Sequence, residues 1–250
     1  MAKRSKAAKV GLAVAIAAAF SVLMWLGTWQ VQRLHWKEAL IAAANQRPSL
    51  PPVVAPGPDE WAGLSMEDWE YRPVTLSGEF GEGEALYFIQ LTDPRGPVGG
   101  TGYFVLAPFV TDGGWTVMVN RGFVPEAMLD PAARPADMAP PVGTIEVTGI
   151  VRPDDPANFL QPLPKPGESM FLSRDIAGMA AAAGAQGVIA PYQVDLSDDH
   201  TPAAGLPQAG EWRIAFTNNH LAYAITWYGI GAGLVLVVVL SALRGRRPKS

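Results

Sequence analysis

The sequence of 250 residues contains no cysteine and only three histidines. The absence of cysteine excludes disulfides, thiolate metal sites, covalent c-type haem attachment and cysteine nucleophiles. The histidines are far apart in sequence, and none has a second ligand at helical spacing: His35, His200 and His220. The Gly-x-Ser-x-Gly and His-Glu-x-x-His motifs of hydrolases are missing as well. We therefore predict that the protein is not an enzyme.

Acidic residues are missing from both ends of the chain. The first nine and the last seven residues together carry eight of the 19 basic residues and no acid. The stretch between them carries the other 11 basic residues and all 23 acidic ones, a net charge of −12. Basic tails favour the anionic cytoplasmic face of a membrane, and an acidic middle region disfavours nucleic acid as a partner. The charge pattern predicts two membrane spans with both termini in the cytoplasm.

A long segment without charge precedes the C-terminal tail. His220 to Leu243 comprises 24 residues, about 36 Å of helix at roughly 1.5 Å per residue, which exceeds a hydrocarbon core of about 30 Å. Because four basic residues follow within the tail, the C-terminal end of this span is expected in the cytoplasm. The other end then places His220 at the outer membrane edge, with Tyr223, Trp227 and Tyr228 in the first two turns.

The N-terminal span is predicted from Val10 to Gln32, 23 residues without a charge. The small residues Ala17, Ala18 and Ala19 allow the alternative of a cleaved signal peptide. The apolar run nevertheless continues beyond them and is longer than the roughly 7 to 15 residues of a signal core. We therefore expect a retained anchor whose helix continues outside the membrane.

Tryptophans mark the outer end of this first span. Four residues share one helix face at i, i+4, i+7 and i+11 spacing: Trp25, Trp29, Gln32 and Trp36. An aromatic belt at the membrane interface is the favoured interpretation for the tryptophans. Gln30 and Arg33 are not explained by such a belt.

The region between the spans has the composition of a β domain. Five prolines between Arg47 and Pro58 exclude regular helix and predict a stiff connector after the first helix. Asp112, Gly113 and Gly114 form a hairpin-turn signal, and Ser173 to Gly184 is typical of a short helix that Ser173 can cap. β-rich runs predict strands at Tyr71–Leu76, Leu86–Leu91, Tyr103–Val110, Trp115–Asn120, Thr144–Arg152 and Tyr192–Leu196.

Several of these runs alternate, so each strand is expected to bury one face. The predicted fold is a membrane protein in which two transmembrane helices flank a mainly antiparallel β barrel or sandwich with short helices, outside the cytoplasm. Its parts are a basic tail at 1–9, a span at 10–32, the β-rich domain at 33–213, a span at 220–243 and a basic tail at 244–250.

His220 is the residue with the clearest candidate chemistry. A ring nitrogen at the membrane edge can ligate haem iron, and Tyr223, Ala224 and Trp227 follow at i+3, i+4 and i+7. The alternative is an interfacial histidine hydrogen-bonded to backbone. Arg33 and Arg213 lie at the depth where haem propionates would emerge, and the alternative for each is an interaction with phosphate headgroups.

The sequence resembles the Surfeit-locus family of cytochrome oxidase assembly factors, which includes the yeast member called Shy. The resemblance covers essentially the whole chain. Five motifs carry it: LGTWQVQR at Leu26–Arg33, YRPVTLSGEF at Tyr71–Phe80, VMVNRGFVP at Val117–Pro125, MFLSRD at Met170–Asp175 and NNHLAYAITWY at Asn218–Tyr228. Phe123 stands where the family usually has tryptophan after Asn-Arg-Gly, a mild aromatic exchange.

The resemblance implies a bacterial member in the inner membrane, with two spans around a periplasmic domain. It also implies binding of haem a and help with its insertion into the largest subunit of the oxidase, with the haem a synthesis machinery and membrane lipid as further partners. Position by position it marks His220 as the iron ligand and Trp29, Gln30 and Arg33 as the matching part of the first span. A cofactor-free scaffold that binds nascent oxidase subunits is the alternative.

Overall fold

The computed structural model describes residues 6–130, 134–156, 158–164, 169–212 and 218–245. Residues 1–42 and 216–250 form one unit, which is helical, and residues 43–215 form a second, which is rich in β-structure. Arg213 and most of the C-terminal basic tail lie outside the described residues.

The helical unit contains two long apolar helices. Helix α1 covers Lys6–Gln46 and helix α5 covers His220–Gly245. Both are long and apolar enough to cross a membrane, and their apolar side chains are mostly exposed, as with Val14 and Val22 in α1 and Leu236 and Leu240 in α5. Such exposure is typical of helices surrounded by lipid and excludes the core helix of a soluble domain.

Helix α1 is much longer than the predicted span of Val10 to Gln32. It continues to Gln46, as the sequence predicts for a helix that extends beyond the membrane, and it ends directly before the first proline of the connector. Residues Arg47–Ser49 form a single turn of 3₁₀ helix with Pro48 in its first turn. Pro48 cannot donate to the helical ladder, which explains the position of this end.

The β-rich unit contains eight strands and three short α-helices. The strands are β1 (Val53–Val54), β2 (Pro73–Phe80), β3 (Ala85–Leu91), β4 (Gly100–Thr111), β5 (Thr116–Pro125), β6 (Ile145–Pro153), β7 (Met170–Phe171) and β8 (Ile189–Leu196). The helices are α2 (Pro58–Trp61), α3 (Met66–Trp69) and α4 (Ile176–Ala182). The sheet order is β1-β2-β6-β8-β5-β4-β3-β7.

An additional pairing of β2 with β4 closes part of this sheet into a ring. Strands β2, β6, β8, β5 and β4 each have a partner on both sides and form a five-stranded barrel, with β3 and β7 extending from β4. Five of the eight pairings are antiparallel, and β1–β2, β3–β7 and β5–β8 are parallel. The predicted mainly antiparallel barrel is confirmed, and the parallel pairs are an addition to it.

The barrel interior is filled by apolar side chains from all five ring strands, among them Val74, Phe109, Val119, Val151 and Val194. The opposite face of β4 and β5 is buried as well, because α4 and β3 cover it in a second cluster. All nine residues from Thr116 to Val124 are therefore buried. The expectation that each strand buries only one face is wrong for β5.

Helix α4 lies within the predicted range of 173–184, but its N-terminal cap is Asp175 and not Ser173. The Asp175 carboxylate accepts a hydrogen bond of 2.6 Å from the backbone N–H of Gly178. A carboxylate also complements the positive end of the helix dipole, which a hydroxyl does not. Gly184 has φ +70° and follows the helix, as predicted for its C-terminal end.

The proline-rich connector belongs to the β-rich unit and does not merely lead to it. Its residues Val53 and Val54 pair in parallel with β2. The buried Tyr192 hydroxyl donates to the carbonyl oxygen of Pro56 at 2.6 Å, and burial raises the pKa of this phenol. The indole of Trp61 donates to the same oxygen at 2.8 Å. These contacts fix the connector on the barrel.

Candidate functional site

Helices α1 and α5 pack against each other along a line of contacts near the outer end of each predicted span. Gln30 contacts His220, Thr28 contacts Tyr228, and Met24 lies beside Gly231. Residue numbers fall along α1 as they rise along α5, so the helices are antiparallel. This arrangement agrees with two spans that cross a membrane in opposite directions.

The polar centre of this contact is the pair of Gln30 and His220. Their side chains are joined by a hydrogen bond of 2.6 Å between Gln30 Oε1 and His220 Nδ1. Because a carbonyl oxygen can only accept, Nδ1 carries the proton and Nε2 keeps its lone pair. Gln30 is only 9% exposed and His220 is half-buried. In the neutral imidazole the contact therefore selects the tautomer that can ligate a metal through Nε2.

The local sequence fixes His220 at the first position of α5. The Asn218 side chain accepts a hydrogen bond of 3.4 Å from the backbone N–H of His220, and the carbonyl of Asn219 accepts one of 3.2 Å from Tyr223. Asparagine is favoured before a helix because its side chain satisfies backbone donors that lack helical partners. The Asn218 side chain therefore supports the start of the helix at His220.

Small residues allow the two helices to approach. A Cβ on Gly27 would lie 2.7 Å from the Tyr228 ring, so the ring occupies the space that only glycine leaves open. The Tyr228 hydroxyl lies 3.2 Å from the Thr28 hydroxyl, and Ala224 is 2% exposed between the His220 and Tyr228 contacts. Close backbone approach through small residues is the usual basis of helix pairing in membranes.

The other predicted site residues surround this pair without joining its hydrogen bond. Trp29 is 41% exposed, Tyr223 is 54% exposed and Trp227 is half-buried. The Arg33 guanidinium is exposed and stacks on the Trp36 ring at 4.8 Å. Arg213 lies outside the described residues. The structure thus brings together Gln30 and His220 and leaves the aromatic rings open at the surface of the helix pair.

The remaining histidines have other partners. His35 lies on the exposed part of α1, 3.5 Å from Glu38 one turn later. His200 Nε2 accepts a hydrogen bond of 2.9 Å from the backbone N–H of Thr148 in the β-rich unit, which uses the lone pair that a metal would need. Among the described residues, His220 is thus the histidine with a directed and unused ring nitrogen.

One feature of the sequence points to this pair, although residue spacing alone does not reveal the contact. Gln30 is a carboxamide inside an otherwise apolar segment, and a polar side chain in a membrane span faces a partner by default. The sequence placed Gln30 and His220 at the same depth of their spans. It did not show that they touch.

The NRG motif of β5 has a structural role in the barrel. The Arg121 guanidinium is 7% exposed and donates to the Met138 carbonyl at 2.8 Å, and burial lowers the pKa of Arg121 to about 10. Gly122 has φ +131°, and a Cβ there would lie 2.4 Å from the backbone of Gln208. These contacts give Arg121 a structural role inside the domain and place Gly122 at a tight backbone position.

Comparison with known proteins identifies the family. The SURF1 family model matches residues 17–232 of the chain. The chain belongs to the SURF1 family. Its members are cytochrome oxidase assembly factors, and this SURF1 protein is accordingly an oxidase assembly factor. The matched range includes both Gln30 and His220, and it confirms the resemblance found in the sequence.

Individual members of the SURF1 family are similar over most of their length. Surfeit locus protein 1 of Mus musculus is 35% identical over 218 residues, which cover 83% of this chain and 68% of the mouse protein. The Homo sapiens protein of the same name is 34% identical over 232 residues, or 88% of this chain and 74% of the human one. A SURF1-like protein of Monosiga brevicollis is 33% identical over 235 residues, 90% of this chain and 86% of that protein.

Proposed function

We propose that this SURF1 protein binds haem a at its helix pair and aids the insertion of that haem into the largest subunit of a haem-copper oxidase. The observation that carries the proposal is the hydrogen bond between Gln30 Oε1 and His220 Nδ1, which leaves Nε2 as the nitrogen that can ligate when the ring is neutral. Haem iron takes axial nitrogen ligands of this kind. A ligating histidine usually donates its other ring N–H to an oxygen acceptor, which orients the ring. Here the Gln30 carboxamide supplies that acceptor.

The residues around the pair fit the other parts of a haem. Trp29, Tyr223 and Trp227 offer large rings with exposed surface to a flat macrocycle. Arg33 is the cation for a propionate, since its guanidinium is exposed and its stacking on Trp36 leaves the donor edge accessible. Arg213 precedes α5 in sequence and is the proposed second cation. In this proposal the protein holds the cofactor and catalyses no reaction on it.

The proposed location is the bacterial inner membrane, with both termini in the cytoplasm and the β-rich unit in the periplasm. The charge pattern of the chain supports this orientation. In the same proposal the haem a synthesis machinery supplies the cofactor, the largest oxidase subunit receives it, and lipid surrounds the two helices. The acidic middle region leaves no role for nucleic acid.

The decisive experiment is an absorption spectrum of His220→Ala after expression together with haem a synthesis enzymes. An alanine at the helix start costs little stability, so the protein should accumulate, but the Soret band should shift or disappear because the axial ligand is lost. His35→Ala is the matched control, since His35 is exposed on α1, and it should retain the wild-type spectrum.

Two outcomes would contradict the proposal. If His35→Ala loses haem while His220→Ala keeps the wild-type spectrum, the ligand lies on α1. If the wild-type protein purifies without any Soret band and still supports oxidase assembly, the chain is a cofactor-free scaffold for nascent oxidase subunits.

A further inference from the structure

A second candidate site lies in the β-rich unit, on the outer face of the barrel. A cavity of about 150 Å³ is formed there by β3, β4, β5, β6 and β8 together with the segment that precedes α4. Part of its wall is aromatic and aliphatic, with Tyr87, Ile89 and Phe104 among the lining residues. A cavity of this volume accommodates a molecule of about the size of benzene.

The rest of the wall consists of polar side chains in positions that would normally face water. Val119, Val151 and Val194 point into the barrel, so their neighbours Asn120, Arg152 and Asp195 point outward. These outward side chains are nevertheless only 3 to 4% exposed. They line the cavity. Burial of such groups is costly unless each has a partner.

Arg152 and Asp195 have partners within the wall. Asp195 Oδ1 accepts from Asn120 at 3.1 Å and from Gln193 at 2.7 Å, and Asp195 Oδ2 lies 3.5 Å from Arg152. Arg152 also lies 3.7 Å from a carboxylate oxygen of Glu70. The charge of Arg152 is therefore compensated by two carboxylates, although its Nε has no acceptor.

Arg174 is compensated less closely: Asp195 and Asp155 act to raise its pKa, but neither carboxylate lies within ion-pair distance. Its side chain is 8% exposed and donates to the backbone carbonyl of Pro153 at 3.1 Å, while its Nε has no acceptor. No ion pair within 4.0 Å joins Arg174 to any carboxylate of the described residues. Burial, and then the charge of Arg152, hold the pKa of Arg174 below its ordinary value. A buried guanidinium that lines a cavity and has no carboxylate of the described residues within 4.0 Å can take an anionic ligand as its partner.

The wall limits the charge that this anion can carry. Asp195 is held by the side chains above, and the Glu211 carboxylate accepts from the backbone N–H groups of Arg95 and Gly96 at 2.9 and 2.6 Å. Both carboxylates line the cavity together with Asp93, and all three repel a second negative charge. A single guanidinium without a carboxylate at ion-pair distance therefore favours a monoanion over phosphate, which carries about −1.5 to −2 at neutral pH.

We propose that this cavity binds a compact, apolar monocarboxylate whose carboxylate pairs with Arg174. The Arg174 guanidinium supplies the positive charge for the carboxylate, and the aromatic and aliphatic wall receives the apolar body. Apart from Glu211 and Trp212, which directly precede Arg213, the residues that line this cavity are distant in sequence from those proposed to hold haem.

The experiment measures binding to the full-length protein in detergent, purified without haem. Calorimetric titration compares benzoate with benzamide, its neutral isostere, and with inorganic phosphate. Benzoate should bind with one site per chain and at least about tenfold more tightly than benzamide or phosphate, because only benzoate brings a single charge to Arg174. A short peptide ending in phenylalanine, compared with its C-terminal amide, tests a chain terminus as the natural source of the carboxylate.

Two arginine variants separate binding from structure. Arg174→Gln should abolish benzoate binding without lowering the melting temperature of the ligand-free protein, since it removes a buried charge that has no carboxylate at ion-pair distance among the described residues. Arg134→Gln is the matched control: Arg134 is half-buried and pairs with Glu84 at 2.7 Å. That variant should melt earlier and still bind benzoate.

The proposal is overturned if benzamide or phosphate binds as tightly as benzoate, if no probe binds, or if Arg174→Gln still binds benzoate. The comparison of probes uses the wild-type protein alone, so it decides the question even if Arg174→Gln fails to fold. Tighter binding of the peptide than of benzoate identifies a polypeptide terminus as the ligand, the reverse order identifies a free acid, and both uphold the site.

Discussion

At the scale of single residues, Gln30 and His220 each provide the partner that the other's polar side chain needs. A carboxamide in an apolar helix and a histidine at a helix start are both costly to bury without a partner. The hydrogen bond of 2.6 Å between them satisfies one polar group on each side chain. In the neutral ring the same bond also determines which nitrogen of His220 carries the proton. One contact thus stabilises the helix pair and leaves Nε2 as the nitrogen that can ligate.

Gln30→Leu tests this contact. Leucine preserves the side-chain volume but accepts no hydrogen bond, so the orientation and the tautomer of His220 are no longer fixed. We expect haem retention to fall by about tenfold to a hundredfold, the usual effect of losing a residue that orients a metal ligand. The haem-to-protein ratio after purification measures it.

Gln32→Leu is the control for that variant, because Gln32 lies two residues further along α1 and is exposed. It should retain haem as the wild type does. Equal retention in both variants would show that the Gln30 contact is structural only.

Val119 tests the interior of the barrel. It is 0% exposed and belongs to the cluster that all five ring strands share. Val119→Asp should destabilise the domain by roughly 3 to 5 kcal/mol, because a carboxylate there has neither water nor a counter-ion. Val54→Asp is the control, since Val54 is 82% exposed in β1. Thermal melting and abundance report the difference, and unchanged melting of Val119→Asp would mean that the assigned strand phase is wrong.

At the scale of secondary-structure elements, the pairing of α1 and α5 depends on shape as much as on polarity. Tyr228 lies against Gly27 so closely that any Cβ would overlap its ring. Lipid provides no hydrophobic drive for helix association, so van der Waals packing and a few polar contacts must supply it. The Gly27 contact and the Gln30 contact are one turn apart on α1. A substitution that separates the helices at one of them should therefore disrupt the other as well.

Gly27→Ala should therefore loosen the helix pair, at a cost of about 1 to 3 kcal/mol for overpacking. The expected result is reduced haem retention although His220 and Gln30 are both present. Gly229→Ala is the control, because nothing lies within 4 Å of a Cβ at that position. A cross-link between cysteines introduced at exposed positions of α1 and α5 should form less efficiently in Gly27→Ala alone. Normal cross-linking and normal haem content in that variant would contradict the packing argument.

The elements that sequence patterns predicted are those with a strong local signal. Strands β3, β4, β6 and β8 contain long β-branched or aromatic runs between turn residues, and the hairpin turn at Asp112–Gly114 joins β4 to β5 as predicted. Strands β1 and β7 have only two residues each, too few for any periodicity to be recognised. The burial of both faces of β5 was not predictable either, because it depends on α4 and β3, which are distant in sequence.

The same distinction applies to the sites. The charge-free run predicted a helix that begins near His220, and α5 begins there. The contact with Gln30 joins residues 190 positions apart, and no local pattern encodes such a distance. The cavity beside Arg174 is formed by side chains from five strands and three segments outside the strands. In the sequence those residues appear as separate polar positions within otherwise ordinary strands.

At the scale of the whole molecule, the chain divides into two units that suit different solvents. The helical unit exposes apolar side chains over most of its length and requires lipid, whereas the β-rich unit buries its apolar residues in a closed barrel. Eight basic residues in the tails and a net charge of −12 between them follow the same division. Charge and the exposure of apolar side chains thus divide the chain at similar places.

The orientation of the whole chain is the last prediction, and it rests on the basic tails. We expect residues from about Arg33 to Arg213 to lie outside the cytoplasm, because short basic segments remain on the cytoplasmic side. A reporter that fluoresces only in the cytoplasm should be bright when fused after Ser250 and dark when inserted after Val142. Val142 is fully exposed and precedes Gly143 with φ +90° in a loop, so an insertion there should not disturb the barrel. A periplasmic reporter at the same two positions should give the opposite pattern. Fluorescence of the cytoplasmic reporter at Val142 together with its loss at Ser250 would show that the orientation is the reverse of the predicted one, and would overturn the charge argument.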